Sequence, residues 1–442
     1  MKNIIILFFL VLSFCASSAT AANCRVTKTS DTNDGLCSVG DCSLREAVAD
    51  ASCATIDFSL DLAGGTIGLT QGEIVINRTL SIAGYGAEAL AISGNNISRI
   101  FFIASGTATI SDVTLTGGNG AGTAPNDGGA IRALGGINLD RVVLTQNSVC
   151  PTCRGAALSL GSPAPASVVR GSTIYNNPSG ASAVPAVATE TGGPLVFYSS
   201  TIAFNPGPGI FAVAGQVKVI QSTVASNGTG VVLAGLGALT VAESVVMDVC
   251  RCHNLSQLSS EGYNIARSTP DSLPIGYQAS DLSNADPVLG PLQYNGGHTP
   301  TMSPFAGSPA IDGGNNGFAS IYSLTADQRG YSRIFDGNGN GKATMDVGAV
   351  EFNAPAPAGV TVAGRVLGGV SGNPLRSQTV RITDMLGNTR SALSSSLGWF
   401  VFEGLPAGFV YKVSVAARRG MAEKTVLAGQ DLSDADILVP GL

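Results

Sequence analysis

The chain has 442 residues, a net charge of −6, 57 glycines and only 12% charged residues. This length exceeds one compact core of ordinary size, so several domains or an elongated solenoid are expected. The acidic balance disfavours a nucleic-acid partner, and the composition favours short strands joined by tight turns over long helices.

Residues 1–22 are expected to be a secretory signal peptide. Lys2 supplies the positive start, residues 4–12 are apolar, and residues 19–21 form a small-residue cleavage site. Beyond this segment every long apolar run is interrupted by Gly, Pro or polar residues, so no transmembrane helix is predicted in the mature chain. We therefore expect a secreted or cell-surface protein.

The cysteines also suit export. Removal of Cys15 with the signal leaves an even number, and an oxidising compartment favours disulfides. Sequence alone does not determine their connectivity. Among the first four, our preferred pairing joins Cys24 to Cys53 and Cys37 to Cys42.

The later cysteines form two close pairs, Cys150 with Cys153 and Cys250 with Cys252. A CxC pair rarely bridges to itself, so we expect each pair to bond to the other. A redox motif or half of a zinc site is the alternative for Cys150-Pro-Thr-Cys153. The neighbouring His253 suggests a metal site, but oxidised cysteines would not serve as its ligands.

A helix is predicted to begin at Ser43. Ser43 and Glu46 have the spacing of a capping box, and an apolar face follows. This helix is expected to cover the open core end of a repeat array. Arg45 and Glu46 could instead form a catalytic pair, although capping explains them without further assumptions. The motif of residues 32–47, with Cys42-Ser-Leu-Arg-Glu-Ala, resembles the N-terminal signature of CSLREA-domain proteins, which implies a secreted right-handed parallel β-helix.

Short strands between glycines are predicted from residue 55 to 139, with no stretch long enough for a crossover helix. A phrase then recurs at 142–147, 172–177, 200–205 and 222–227. If each phrase is one coil, its central apolar residues form an interior column and its asparagines form a ladder. The aligned residues are Leu144, Ile174, Ile202 and Val224, followed by Asn147, Asn177, Asn205 and Asn227.

The ladder asparagines are expected to be structural. Asn tolerates the left-handed backbone of a corner, and its amide can hydrogen-bond to neighbouring coils. A row of amides that binds sugar hydroxyls is the functional alternative. Residues 244–285 interrupt the repeat spacing and suggest a longer loop that rejoins the array.

Four ordered motifs between 286 and 352 carry a second resemblance. They are Leu292-Gln-Tyr-Asn-Gly-Gly-His298, Ser308-Pro-Ala-Ile-Asp-Gly-Gly314, Asp327-Gln-Arg-Gly330 and Asp346-Val-Gly-Ala-Val-Glu351. They resemble the choice-of-anchor Q domain. The resemblance implies a region that closes a secreted β-helix and is followed by a surface-attachment device.

Inside this region lies a candidate calcium loop. Oxygen-bearing side chains alternate and a glycine stands sixth, as in the first half of a calcium-binding loop. The alternative is a Gly/Asn turn that needs no ion. The candidate ligand positions are Asp336, Asn338, Asn340, Lys342 and Asp346.

A Pro/Ala linker is predicted at 353–359, and a small β-sandwich at 360–442. Its strands are expected at 360–366, 379–383, 389–393, 399–402, 411–415, 424–427 and 436–439. Gly398-Trp-Phe-Val-Phe402 and Leu405-Pro-Ala-Gly408 resemble the carboxypeptidase regulatory-like, transthyretin-like fold. That module is accessory, and the segment has no histidine for a zinc peptidase site.

The predicted fold is thus all-β: a pectate-lyase-like right-handed parallel β-helix at 23–352, with its N-terminal cap at 24–60, followed by the sandwich. The function it favours is non-enzymatic binding of glycans or of cell-envelope or matrix components. The alternative is a polysaccharide lyase or glycoside hydrolase, which needs carboxylates or a basic residue in one groove. Asp112, Asp127, Asp140 and Arg141 are the candidates for that chemistry.

Overall fold

The computed structural model describes residues 22–440, except 36, 162–164, 179–183, 191–192, 252–256, 269–277 and 418–419. Residues 1–21 of the expected signal peptide, Cys252 and His253 therefore lie outside the described residues. The chain is all-β, and its first part forms one large parallel sheet, consistent with a β-helix-like solenoid.

The strands of this parallel sheet are short and follow one another at regular intervals. They are β1 (Ala22–Val26), β2 (Cys53–Phe58), β3 (Gly65–Gly68), β4 (Ile74–Ile76), β5 (Leu80–Ala83), β6 (Leu90–Ser93), β7 (Phe101–Ile103), β8 (Thr107–Ser111), β9 (Thr114–Thr116), β10 (Ile131–Ala133), β11 (Gly136–Asp140), β12 (Val143–Thr145), β13 (Leu158–Leu160), β14 (Ser167–Arg170), β15 (Thr173–Tyr175), β16 (Val187–Thr189), β17 (Leu195–Tyr198), β18 (Thr201–Ala203), β19 (Pro208–Ile220), β20 (Thr223–Ala225), β21 (Thr229–Ala242), β22 (Val245–Arg251), β23 (Gln257–Gly262), β24 (Ile265–Ser268) and β25 (Leu282–Ser283).

Each strand pairs in parallel with the strand one coil away, which gives three ladders that we call faces. Face 1 runs through β2, β5, β8, β11, β14 and β17. Face 2 runs through β3, β6, β9, β12, β15, β18 and β20. Face 3 runs through β4, β7, β10, β13 and β16. Each of the long strands β19 and β21 runs first along face 3 and then along face 1.

Alternation along each strand builds the core. In β5, Leu80 and Ile82 are buried while Ser81 and Ala83 are half-buried, so one side of every coil faces inward. The predicted column Leu144, Ile174, Ile202 and Val224 is confirmed, since consecutive members pair in register and all are at most 1% exposed.

The prediction of a long loop at 244–285 is wrong for much of that segment. Strands β22 and β24 continue face 2, and β23 continues face 1. This stretch forms strands despite its glycines and cysteines, and their inward residues, such as Val246 and Val249, are fully buried.

The N-terminal helix α1 (Leu44–Ala49) has Ser43 as its N-cap, and the predicted capping box is confirmed. Ser43 Oγ accepts from Glu46 N at 3.1 Å, and Glu46 Oε2 accepts from Ser43 N at 2.7 Å. Leu44, Ala47 and Val48 join the solenoid core. Arg45 forms a two-bond ion pair with Asp31, so Arg45 and Glu46 both have structural roles.

The disulfides correct one expectation. Cys24 bonds Cys53 and Cys37 bonds Cys42, as predicted. Cys150 bonds Cys153, so the predicted bonds to the Cys250 pair are wrong. The two intervening residues, Pro151 and Thr152, form a turn that brings the sulfurs together.

Residues 286–352, which we call the closing segment, cover part of faces 1 and 2. They contain the antiparallel pair β26 (Leu289–Gln293) and β27 (Thr301–Pro304) and the short helix α2 (Gly317–Ile321). Phe318 and Leu324 pack on Ile220 and Ala242 of face 1. Further contacts join the segment to Ala203, Ala225 and Met247, beside face 2.

The C-terminal part, which we call the C-terminal unit, holds the strands predicted for it. They are β28 (Val360–Gly368), β29 (Thr379–Asp384), β30 (Thr389–Leu393), β31 (Trp399–Leu405), β32 (Phe409–Ala417), β33 (Gly420–Ala428) and β34 (Ile437–Val439). They form a three-stranded and a four-stranded sheet around one core.

The C-terminal unit lies against the N-terminal coils. Val410 belongs to the solenoid core and Met385 packs against it. His298 of the closing segment stacks on Phe409 with ring centroids 4.1 Å apart and bonds to Glu88 of the solenoid at 3.1 Å. Among the described residues, no helix is long and apolar enough to cross a bilayer.

Candidate functional site

The corner between faces 1 and 2 carries a column of residues at equivalent positions in successive coils. Their backbone amides each donate to a carbonyl of the following coil. Every member has a positive φ, an uncommon conformation for residues other than glycine. The column, which we call the first corner, consists of Asp112, Arg141, Gly171, Ser199, Gln221 and Glu243, with φ between 42° and 57°.

The closing segment covers the later coils of the first corner. Arg333 is fully buried there and donates to Gln221 O at 2.9 Å and to Ser199 Oγ at 3.3 Å. Glu243 is also fully buried and accepts from Asn315 N. Burial raises the pKa of Glu243 above its ordinary value.

The middle coils remain open between the closing segment and the C-terminal unit, and this gap is a cleft of about 450 Å³. Three parts of the chain line it. The solenoid supplies Asp140, Arg141, Arg170, Gly171 and Ser199, the closing segment supplies His298 and 323–330, and the C-terminal side supplies Pro357 and Ala407.

The floor of the cleft has a network centred on Arg141. Its Nε and Nη2 donate to the two oxygens of Asp112 at 2.6 and 2.7 Å, and its Nη1 donates to Asp140 at 2.7 Å. Burial is the largest influence on Asp140 and raises the pKa of its carboxyl, against the opposing charges of Arg141 and Arg170. One guanidinium thus holds both carboxylates.

Arg170 differs from Arg141 in lacking a carboxylate partner within 4 Å among the described residues. Register places Arg170 between Asp140 and Tyr198 on face 1. Its guanidinium lies over the Tyr198 ring, 4.8 Å from the centroid. The stacked ring limits its motion and leaves its donors available to a ligand in the cleft.

Asp327 and Arg329 line the same cleft but are bonded to each other. Arg329 Nε donates to Asp327 Oδ2 at 2.9 Å, and the other Asp327 oxygen accepts from two backbone amides. The Arg329 guanidinium also lies 4.1 Å from the Tyr331 ring centroid. These residues of the Asp-Gln-Arg-Gly motif shape the wall of the cleft.

Gln328 anchors that wall to face 2. Its Nε2 donates to Thr173 Oγ1 at 2.8 Å and to Thr299 Oγ1 at 2.9 Å, and its Oε1 accepts from Thr201 Oγ1 at 2.6 Å. Thr173 and Thr201 come from the recurring Ser-Thr phrase, whereas Thr299 belongs to the closing segment. Thr173 and Thr201 therefore hold the closing segment in place through their outward side chains.

Of the four sequence-predicted candidates, the structure brings together Asp112, Asp140 and Arg141. Asp127 lies elsewhere, in a buried ion pair with Arg132 at 3.0 Å. Sequence reasoning missed Arg170 because its role depends on the register with Tyr198, one coil away. The signal available was the equivalent position of Asp140 and Arg170, each two residues before a repeat phrase.

The predicted calcium residues divide into two groups. Asp336, Asn338, Asn340 and Lys342 lie in a half-buried to exposed turn closed by the bridge between Phe335 and Thr344. Asp336 accepts from Asn340 N at 3.0 Å and from Gly341 N at 2.7 Å, which is a turn pattern that needs no ion.

Asp346, the fifth residue, is fully buried. Its oxygens accept from the amides of Asp312 at 2.7 Å and Phe352 at 2.5 Å. Its own amide donates to Glu351 at 2.9 Å. Calcium binding remains a prediction, with the exposed turn as the part able to supply ligands.

Comparisons with family models, with curated proteins and with solved structures find no match to this chain.

Proposed function

We propose that the chain is an exported, non-enzymatic surface protein whose cleft binds anionic glycans. In this proposal the solenoid is a right-handed parallel β-helix of the CSLREA and choice-of-anchor Q type, with a capping helix, and the C-terminal unit is a transthyretin-like sandwich. The disulfides of the described residues suit an oxidising compartment.

The observation that carries the proposal is the state of Arg170. A half-buried guanidinium with no ion-pair partner among the described residues, stacked on an aromatic ring in an open cleft, is suited to a carboxylate or sulfate. The neighbouring Asp140, Arg141 and Ser199 add acceptors and donors for hydroxyl groups. A sugar that carries an acidic group combines both requirements.

Binding is favoured over catalysis because the carboxylates of the cleft are already engaged. Asp112 accepts two bonds from Arg141, and Asp140 accepts a third. A general base needs a carboxylate available to the substrate proton. The arrangement holds the cleft rigid and leaves Arg170 to recognise the ligand.

The test is a panel of uronate-containing, sulfated and neutral oligosaccharides, with binding measured by calorimetry and sugar release measured by chromatography. We expect binding of acidic oligosaccharides without products. Arg170→Gln should weaken it about 10- to 100-fold, because a charge-assisted bond contributes about 1.5–3 kcal/mol.

The matched control is Arg381→Gln, which removes an exposed arginine of the C-terminal unit outside the cleft. It should bind as the wild type does. Equal binding of neutral and acidic oligosaccharides, or an equal loss in both variants, would contradict the role of Arg170. Release of sugar products would favour the hydrolase or lyase alternative.

A further inference from the structure

The Cys150–Cys153 disulfide differs from the other two disulfides of the described residues in its exposure. Each N-terminal disulfide has one fully buried cysteine, Cys53 or Cys42, within the solenoid core. Cys150 and Cys153 are both half-buried, in a loop whose two intervening residues are exposed. Thiol–disulfide exchange needs access to a sulfur, and this disulfide offers access at both of its sulfurs, whereas each N-terminal disulfide offers it at one, Cys24 or Cys37.

Its two sulfurs are not equivalent. Cys153 packs partly against the apolar cluster of Val149, Ala156 and Val184. Cys150 Sγ lies at the exposed side, 3.4 Å from Thr152 Oγ1. The Thr152 hydroxyl can donate to Cys150 as a leaving thiolate, so Cys153 is the sulfur that an incoming thiolate attacks.

Chain-entropy stabilisation does not explain this disulfide well. It spans a sequence separation of only 3, compared with 5 for Cys37–Cys42 and 29 for Cys24–Cys53. A short loop loses little freedom on closure, so the bond constrains the unfolded chain weakly. Opening it should leave the solenoid folded.

A groove of about 460 Å³ lies beside Cys153. Arg154 has a side chain 43% exposed, a long 3.5 Å contact with Glu190, and a position over the Phe211 ring. The groove thus offers a guanidinium above an apolar wall. Its lining includes Cys153, Arg154, Val184, Pro185, Phe211 and Val232.

We propose that Cys150–Cys153 is an exchangeable disulfide that reacts with a small carboxylate-bearing thiol of the glutathione class bound in this groove. The ligand thiolate attacks Cys153 Sγ, which lines the groove, the Cys150–Cys153 bond breaks, and Cys150 leaves as a thiolate that takes a proton from water. A second thiol attacks the ligand sulfur of the mixed disulfide and releases Cys153. The two ligand thiols are thereby oxidised to one disulfide, and the two electrons they lose reduce the protein disulfide to two thiols.

The experiment uses the full mature chain with Cys250→Ser and Cys252→Ser, so that no other thiol can take part. The protein is incubated in graded glutathione buffers, quenched with acid, alkylated and mapped by mass spectrometry. Cys150–Cys153 should open at least about tenfold faster than either N-terminal disulfide, with an unchanged circular dichroism spectrum. Opening no faster than the N-terminal disulfides would overturn the proposal.

Recognition of the carboxylate is tested separately with Arg154→Gln and with cysteamine, a cationic thiol. Arg154→Gln should slow the reaction with glutathione several-fold and leave the reaction with cysteamine unchanged or faster. Arg381→Gln should alter neither rate. Equal slowing with both thiols would overturn the carboxylate contact. None of these outcomes depends on glycan binding in the cleft.

Discussion

The ladder asparagines each bond to a neighbouring coil, and the first three bond to the next asparagine through both backbone and side chain. Asn177 Nδ2 donates to Asn205 Oδ1 at 3.0 Å and to Leu144 O at 3.1 Å, while its Oδ1 accepts from Asn147 N at 3.1 Å. The predicted structural role is confirmed. The predicted reason is partly wrong, because the left-handed residues stand one position earlier, at Gln146, Asn176, Phe204 and Ser226.

Asn177→Ala should destabilise the solenoid by about 3 kcal/mol, because it leaves buried groups of two neighbouring coils without partners. The measurement is urea unfolding followed by circular dichroism. The control is Asn33→Ala, which removes an exposed asparagine and should change stability little. A similar midpoint for both variants would contradict the ladder.

Calcium should bind only weakly to the turn around Asp336, since two of its ligands are neutral asparagines. We expect millimolar calcium to raise the melting temperature of the wild type and to have no effect on Asp336→Ala. Differential scanning fluorimetry with and without a chelator measures this. An identical response of both proteins, or no response in the wild type, would contradict the predicted calcium site.

At the scale of elements, the closing segment depends on the outward threonines of face 2. Thr173 Oγ1 donates to Pro300 O at 2.6 Å, and Thr223 Oγ1 accepts from Ala349 N at 3.1 Å. The same repeat phrase therefore supplies an inward column for the core and an outward row for docking.

A double-mutant cycle tests this docking. Thr201→Val and Gln328→Met should each destabilise the protein, and their coupling should be about 1–2 kcal/mol because the pair shares a buried hydrogen bond. Hydrogen exchange should rise in the closing segment first. Strictly additive effects would show that the bond contributes no coupling.

The buried carboxyls of the closing segment give a pH dependence. Burial and the charge of Asp346 raise the pKa of Glu351 from an ordinary 4.5 to about 9. Its Oε1 accepts no hydrogen bond from the described residues, so no donor stabilises a negative charge there. The folded state therefore holds a proton that the unfolded state releases above pH 4.5.

Stability from Glu351 is thus fully present below pH 4.5 and is lost as the pH rises towards 9. We expect the melting temperature to be higher at pH 5 than at pH 8.5. Glu351→Gln should reduce this difference, and the exposed control Glu403→Gln should preserve it. A melting temperature that rises over this interval in the wild type but not in Glu351→Gln would reverse the assignment.

At the scale of the whole molecule, sequence predicted the elements better than their arrangement. The repeat phrases predicted the interior column, and the alternation of apolar and polar residues predicted the strands of the C-terminal unit, because both are local patterns. The Cys150–Cys153 bond and the cleft were missed. The cleft depends on which coils the closing segment and the C-terminal unit cover, and no local pattern encodes that. The disulfide depends on the local turn at Pro151 and Thr152, which the cysteine spacing alone did not distinguish from bonds between the two pairs.

The cleft exists because these two parts leave a gap over the first corner. Towards the N-terminus, His298, Phe409 and Glu88 join the C-terminal unit to the solenoid. Towards the C-terminus, Arg333 of the closing segment covers Ser199 and Gln221, and Glu243 lies beneath the same segment. The coils of Asp140, Arg170 and Ser199 contribute to the open floor.

The most direct test of this account is a crystal structure with an acidic oligosaccharide that binds the protein. It should place a carboxylate or sulfate group on the Arg170 guanidinium, with sugar hydroxyls near Asp140 and Ser199. A ligand seated away from the cleft, or one in the cleft whose acidic group points away from Arg170, would contradict the central claim.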